Sequence, residues 1–213
     1  MAKKRFPLSS NDSYSVKYRH GEKLYATLEL NQVAFPKTGM VVSQTPLGAA
    51  FTVDAPCENG MWVVADKAAG AINAPAAATD KPIGIVYTAE KEYDDYHYGL
   101  QTFGRKIAGD YPRVGILGIG DTVTTNCLQY DDSVFQAVTT SGSEKTSEEV
   151  LFEALEAATA PASAAPLYVV PVTGSAVPKI AKSAPGSGIY GKIVKFYTVP
   201  NGERGVKYQI IRV

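Results

Sequence analysis

Short runs rich in Val, Ile, Thr and Tyr recur along this chain, and Gly, Pro, Asn or Asp separates each run from the next. Branched and aromatic side chains pack well on a pleated, half-buried surface, whereas glycine and proline interrupt strands. The pattern therefore predicts a mainly β protein with a sandwich or barrel-like body. The predicted strands are 25–30, 51–53, 61–64, 82–88, 113–117, 121–128, 133–138, 167–172, 191–199 and 206–213.

One segment departs from this pattern. Thr146 to Glu149 form a capping-box sequence, and apolar residues then recur on one helical face as far as Ala158. We expect one short helix over 147–158. An Ala- and Pro-rich stretch follows it and has the composition of a linker.

Charge is distributed unevenly, although the totals of 21 basic and 21 acidic residues cancel. Basic residues dominate the two ends of the chain and acidic residues dominate its middle. A neutral total argues against a dedicated nucleic-acid binder, whereas opposite charges in different regions favour docking against a patterned partner or a sister subunit. Strand pattern and charge together predict a basic N-terminal arm (1–23), a main β domain (24–143), a helix with its linker (144–165) and a small C-terminal β unit (166–213).

The basic arm is expected to be partly extended and exposed. Its residues Lys3, Lys4 and Arg5 are candidates for electrostatic contact with an acidic partner. At the other end of the chain, lysines alternate with aromatic and aliphatic residues over 190–213. We interpret this stretch as a strand pair with a core face and a solvated lysine face; single-stranded nucleic-acid binding is the alternative.

Gly186, Gly188 and Gly191 have the G-x-G-x-x-G spacing of a dinucleotide-binding turn. Such a site needs a helix N-terminus after the glycines, because aligned helix amides hold the pyrophosphate. Here a β-branched and aromatic run follows. We therefore expect a turn that enters a strand, and no cofactor.

The sequence also contains a weak internal repeat. Residues 61–66 are followed by an Ala/Gly-rich stretch and then by 81–87; residues 167–172 are followed by a similar stretch and then by 188–194. Gly84 and Gly191 lie at nearly the same offset from Trp62 and Tyr168, respectively. Coincidence among Val-rich strands and real structural similarity are both open interpretations.

Residues 92–98 are the densest group of acidic and aromatic side chains. Asp94, Asp95 and His97 would need metal ligands from elsewhere, and the sequence has no second such cluster. Nucleophile-elbow, zincin and Walker motifs are absent, so we expect no catalytic residues, no metal and no enzyme activity. We interpret the cluster as a protein interface whose contact candidates are Tyr93, Tyr96, His97 and Tyr98.

Cys57 and Cys127 lie in unrelated contexts, and we expect both to be free, half-buried thiols. The N-terminus has basic residues without the apolar segment of a secretory signal. No stretch approaches the roughly 18 apolar residues of a membrane span. We expect a protein that is made in a cytoplasm and contacts no membrane.

The stretches "NGMWVVADKAAGAINAPAAATDKPIGIVYTAEKEYDD" and "YPRVGILGIGDTVTTN" resemble the head-decoration, or cement, proteins of tailed bacteriophages. The resemblance covers residues 58–128 and, more faintly, 166–198. It implies a structural virion protein that binds the outside of an assembled capsid, contacts the major capsid protein and forms a homo-oligomer such as a trimer. A receptor- or glycan-binding module of a fibre or tail, with residues 93–98 as its contact surface, is the alternative. A hydrolase that uses His97 is a third possibility.

Overall fold

The computed structural model describes residues 4–6, 41–42, 45–65, 67–80, 83–88, 106–130, 166–198 and 204–213. These residues form two β-sheets and one short 3₁₀ turn, Lys67–Ala69, which confirms the mainly β fold class. The strands are β1 (Lys4–Phe6), β2 (Val41–Val42), β3 (Trp62–Val64), β4 (Ile83–Val86), β5 (Val114–Ile116), β6 (Thr122–Thr125), β7 (Leu128–Tyr130), β8 (Tyr168–Val172), β9 (Ser175–Ala181), β10 (Tyr190–Thr198) and β11 (Arg204–Arg212).

Seven of the predicted runs correspond to one strand each, namely β3, β4, β5, β6, β8, β10 and β11, whereas β1, β2, β7 and β9 were not predicted. Residues 51–53 are not a strand, because Thr52 and Ala55 close a tight turn through reciprocal backbone hydrogen bonds of 3.1 and 3.2 Å. Strand β9 has Pro178 at its centre, where proline normally argues against a central strand. The runs 25–30 and 133–138, the helix 147–158 and its linker lie outside the described residues.

The first sheet has the order β2-β5-β4-β3, and the second has the order β1-β7-β9-β8-β10-β11-β6. In the second sheet, β6 and β7 lie near opposite edges, yet only Asn126 and Cys127 separate them in sequence. So few residues span only about 10 Å. The sheet must therefore curl until its edges approach, which gives the barrel-like shape. It also crosses the expected boundary at residue 143, since β6 pairs with β11 and β7 pairs with β9, while β1 pairs with β7.

The internal repeat is present in the strand register. Val63 pairs with Gly84 between β3 and β4, and Val169 pairs with Gly191 between β8 and β10. On their other sides, β3 is bridged to Asn73 and β8 is paired with β9. Each central strand is thus flanked by the two segments that follow it in sequence.

The correspondence extends to two further strands. Val86 of β4 pairs with Val114 of β5, which pairs with β2. In the same way, Ile193 of β10 pairs with Tyr208 of β11, which pairs with β6. We call residues 41–116 the first unit and residues 122–212 the second unit. Their shared strand order confirms the interpretation of the repeat as real structural similarity.

Two hydrophobic cores are shared between the units. Alternate residues of β3 point to different cores: Val63 lies in the core of the first unit, whereas Trp62 lies in that of the second. Strand β4 behaves in the same way, so all four of its residues are buried. The indole Nε1 of Trp62 donates a 2.9 Å hydrogen bond to the hydroxyl of Tyr208, and their rings make an edge contact at 5.9 Å. The outer face of the first sheet thereby packs against the interior of the second.

Candidate protein-contact surfaces

The glycine-rich turn that precedes β10 is held by a cation from β11. The Arg212 guanidinium donates to the carbonyls of Pro185 (2.7 Å), Gly186 (3.2 Å) and Gly188 (2.7 Å), and it lies 4.8 Å from the centre of the Tyr190 ring. A strand follows these glycines, as predicted. Because the turn directs carbonyls rather than amides at its charged partner, it lacks the geometry that holds a phosphate.

Gly188 also joins the two units. Its φ of +77° lies in the left-handed region, and a Cβ there would overlap the carbonyl oxygen of Ala78 in the first unit. Nearby, the amide of Gly174 donates a 2.7 Å hydrogen bond to the carbonyl of Pro75. Turns of the second unit are therefore seated directly on segment 75–80 of the first.

Three aspartates each close a backbone turn with the same kind of hydrogen bond. Asp80, Asp110 and Asp121 each accept a hydrogen bond, of 2.8, 2.9 and 2.7 Å, from the amide three residues earlier. The second carboxyl oxygen of Asp121 is buried without a hydrogen-bond partner. Burial raises the pKa of this carboxyl, and the hydrogen bond from Gly118 partly opposes that rise. The arrangement gives these carboxyl groups a structural role in their turns.

Both cysteines are free, as predicted, and they are fully buried rather than half-buried. Burial, with smaller contributions from Cys127 and Glu58, raises the pKa of the Cys57 thiol. A thiol with a raised pKa contains little thiolate and reacts slowly. No group of three or more His, Cys, Asp or Glu side chains that could hold a metal lies within the described residues.

Of the predicted contact residues, Lys4 and Arg5 lie in β1, where they pair with Tyr130 and Gln129. The arm is therefore extended there, but it is a sheet strand rather than a free segment. Lys3, Tyr93, Tyr96, His97 and Tyr98 lie outside the described residues.

The residues that border segment 89–105 are both tied to the turn 57–60. The Asn59 side chain accepts from the Thr88 amide at 2.7 Å and donates to its carbonyl at 3.1 Å. Cys57 and Lys106 exchange two backbone hydrogen bonds, of 2.7 and 2.8 Å. The two residues that flank segment 89–105, which carries the tyrosine cluster, therefore both lie beside the turn 57–60.

Next to this place, two loops form an exposed apolar surface. The amide of Ala108 donates to the carbonyl of Phe51 at 2.8 Å, which joins the loop 47–55 to the loop 106–111. Val53 is 68% exposed, Tyr111 60% and Ile107 39%. We define the loop patch as these three residues together with the exposed Asp54.

A second exposed surface lies on the β10–β11 pair. Its register shifts twice, and each shift leaves one residue unpaired: Val194 on β10 and Ile211 on β11. Both side chains are exposed, and exposed lysines flank Val194 in sequence. We define the bulge face by these two aliphatic residues and the lysines of the same strand pair: Lys192, Val194, Lys195, Lys207 and Ile211. Ile193, Phe196, Val206, Tyr208 and Ile210 of these strands are buried, so the predicted division into a core face and a lysine face is confirmed.

The sequence predicted the lysine face of the β10–β11 pair, but neither its exposed aliphatic residues nor the loop patch. The adjacent apolar pairs Ile193-Val194 and Ile210-Ile211 interrupt the alternation expected of a strand with one buried face, and this is the signal of a bulge. The loop patch has no comparable signal, because long-range pairing of two loops creates it.

Comparisons with known proteins gave no match to a family model, a curated protein or a solved structure. Within the described residues, no helix is both long enough and apolar enough to cross a membrane.

Proposed function

We propose that this protein is a structural component of a tailed-bacteriophage particle. It binds the major capsid protein on the outside of the assembled capsid, as an oligomer, and stabilises the junctions between capsid subunits without turning over a substrate. It is made in the host cytoplasm and resides on the virion surface.

The observation that carries this proposal is the exposure of apolar side chains at two separate surfaces of one packed body. Val53 and Tyr111 on the loop patch, and Val194 on the bulge face, are available to contact another protein. Aromatic side chains such as Tyr111 often act as anchors in protein interfaces. The buried cysteines and the turn-closing aspartates, by contrast, have structural roles.

Binding to an assembled shell explains how such a protein stabilises it. A protein that binds only the assembled form shifts the equilibrium toward that form, by about 2.7 kcal/mol per site when its free concentration is about 100 times Kd. Because both units contribute residues to the two hydrophobic cores, we propose that one copy contacts neighbouring capsid subunits as a single packed body.

The proposal is tested by comparing particles with and without the protein. Particles that lack it should release their genome at a lower temperature or under a milder osmotic shock, and adding the purified protein should restore their resistance. Electron microscopy of the restored particles should show added density on the outer surface. Protein that never binds shells but labels host cells would support the adhesin alternative instead.

The basic arm provides a second measurement on the same particles. Replacing Lys3, Lys4 and Arg5 with serine should weaken attachment mainly at low salt, because salt of about 0.1 M screens the attraction between opposite charges beyond about 10 Å. Replacing Lys17, Arg19 and Lys23 with serine removes the same charge from the same region and is the matched control. Equal weakening by both variants would show that only total charge matters.

A further inference from the structure

A β-bulge places Lys195 on the outer face of the second sheet. Ile193 is buried, so strict alternation along β10 would turn Lys195 toward the core. The extra residue Val194 shifts the alternation by one position, and Lys195 is exposed. It lies there opposite Lys207 of β11, and like charges in that position repel each other. The bulge thus gathers positive charge on one face of the strand pair.

The second bulge does the same for Arg212. The extra residue Ile211 turns Arg212 outward, opposite Tyr190 of β10. The Arg212 guanidinium lies 4.8 Å from the centre of the Tyr190 ring, which makes an edge contact with the Tyr168 ring at a centroid distance of 5.7 Å. Both tyrosines are partly exposed, and Lys192 pairs with Tyr168 between β10 and β8. Two aromatic rings therefore lie among the cations of this face.

The neighbouring strands do not balance this positive charge. Strands β6, β8, β9, β10 and β11 together contain six basic residues and no Asp or Glu. Asp121, which precedes β6, is buried and accepts the Gly118 amide within its own turn. The neutral total of the chain therefore conceals a local excess of positive charge, which favours a polyanionic partner. We define the cationic face as Tyr168, Tyr190, Lys192, Lys195, Lys207 and Arg212.

We propose that the cationic face binds single-stranded nucleic acid, an activity that goes beyond the proposed function and does not rest on it. Lysines along such a surface follow the phosphates of the strand, while exposed aromatic rings stack with its bases. Single strands are favoured over duplexes, because only unpaired bases are free to stack on Tyr168 and Tyr190. The loop patch belongs to the first unit, so a copy that contacts a capsid through the loop patch keeps the cationic face free.

Fluorescence anisotropy with purified protein and a fluorescein-labelled oligodeoxythymidylate of about 15 nucleotides tests this proposal. No capsids are involved, so its failure is distinguishable from failure of the proposed function. Wild type should bind with a Kd below about 100 µM at about 50 mM salt. The logarithm of the association constant should fall with the logarithm of the salt concentration with a slope of about −2, because each of the three lysines contributes about −0.7 on a single strand.

Two results with wild type would overturn the proposal. The first is no change in anisotropy at about 100 µM protein and about 50 mM salt. The second is a labelled duplex of the same length that binds as tightly as the single strand, because duplex bases cannot stack on the tyrosines.

The charge component has a matched pair of variants. Lys195→Gln should weaken binding and reduce the steepness of the salt dependence by about 0.7. Arg113→Gln removes the same charge from an exposed residue of the first unit and should change neither quantity. Equal effects of the two variants would overturn the role given to the cationic face. Unchanged urea unfolding would show that both variants are folded.

The aromatic component separates nucleic acid from other polyanions. Tyr168→Leu should weaken binding about fivefold or more without changing the salt slope, because stacking releases no counterions. Tyr168→Phe keeps the ring and should bind as wild type does, and Tyr111→Leu on the loop patch is the control for loss of an exposed tyrosine. If Tyr168→Leu binds like wild type, stacking is absent and the proposal fails. Equal affinity of wild type for a labelled polyglutamate peptide of the same charge would replace it with an acidic protein partner.

Discussion

The two units have the same strand order and the same register, yet their outer sheet faces have different chemistry. In the first unit, Trp62 and Ile85 of the outer face are fully buried against the second unit. The residues at the corresponding register positions of the second unit are Tyr168, which is partly exposed, and Lys192, which is exposed. The strand pairing is thus the same in both units. The side chains of the outer face differ, because they are apolar where the other unit buries them and more polar where they are exposed.

The inner faces, by contrast, have the same kind of side chain at corresponding positions of both units. Val63 and Val86 of the first unit correspond to Val169 and Ile193 of the second, and all four are buried aliphatic residues. The comparison indicates that interior packing maintains the shared register. Substitutions at corresponding positions should therefore have similar effects on the inner face and different effects on the outer face.

The largest effect on the free energy of unfolding is expected at Gly84 and Gly191, which occupy corresponding positions in the two units. A Cβ at Gly84 would overlap Val114 Cγ1 and lie 2.9 Å from the Gly115 carbonyl oxygen, while a Cβ at Gly191 would lie 2.8 Å from the Tyr208 ring. We expect Gly84→Ala to lower the free energy of unfolding by about 3 kcal/mol and Gly191→Ala by about 2 kcal/mol, as overpacking does. Urea unfolding monitored by circular dichroism measures both.

Gly186→Ala is the control for these two variants. A Cβ there has no neighbour within 4 Å, and Gly186 is not among the glycines with positive φ. Its unfolding free energy should stay within about 0.5 kcal/mol of wild type or rise slightly, because alanine restricts the unfolded chain. If Gly84→Ala and Gly191→Ala are as stable as this control, close packing at the glycines does not maintain the repeat.

An effect smaller than that of Gly84→Ala is expected at Trp62, where the outer faces differ. Trp62→Phe removes the hydrogen bond to the buried Tyr208 hydroxyl and leaves a cavity between the units, so we expect a loss of about 2 kcal/mol. Tyr168→Phe at the corresponding, partly exposed position should cost less than about 0.5 kcal/mol. Equal losses of unfolding free energy for the two variants, measured with urea, would mean that the two outer faces are equally buried.

Local patterns predicted most strands, since alternation and turn residues mark β8 and β11 clearly. They could not show that Ile83–Val86 is buried on both faces, because a continuous apolar run has no period to assign. They also could not show that β6 pairs with β11, since that contact joins residues far apart in sequence. The loop patch depends on such long-range pairing, whereas the exposed aliphatic residues of the bulge face depend on two bulges within one strand pair, and the predicted contact residues include neither set.

The smallest expected effect concerns Asp121, in the turn that connects the two units. Burial raises the pKa of its carboxyl above the ordinary value of about 3.9, so the folded protein binds this proton more tightly than the unfolded chain does. The stability contributed by the group is therefore present below that ordinary value and is lost as pH rises through the folded-state pKa.

Asp121→Asn can still accept the Gly118 amide hydrogen bond but cannot ionise. Relative to this variant, wild type should lose stability as pH rises above about 4, by less than the Trp62 effect. Urea midpoints measured at increasing pH give the difference. If the urea midpoints of wild type and Asp121→Asn change with pH in parallel, folding does not shift the pKa of the Asp121 carboxyl. The turn that connects the two units then adds no pH dependence to the stability.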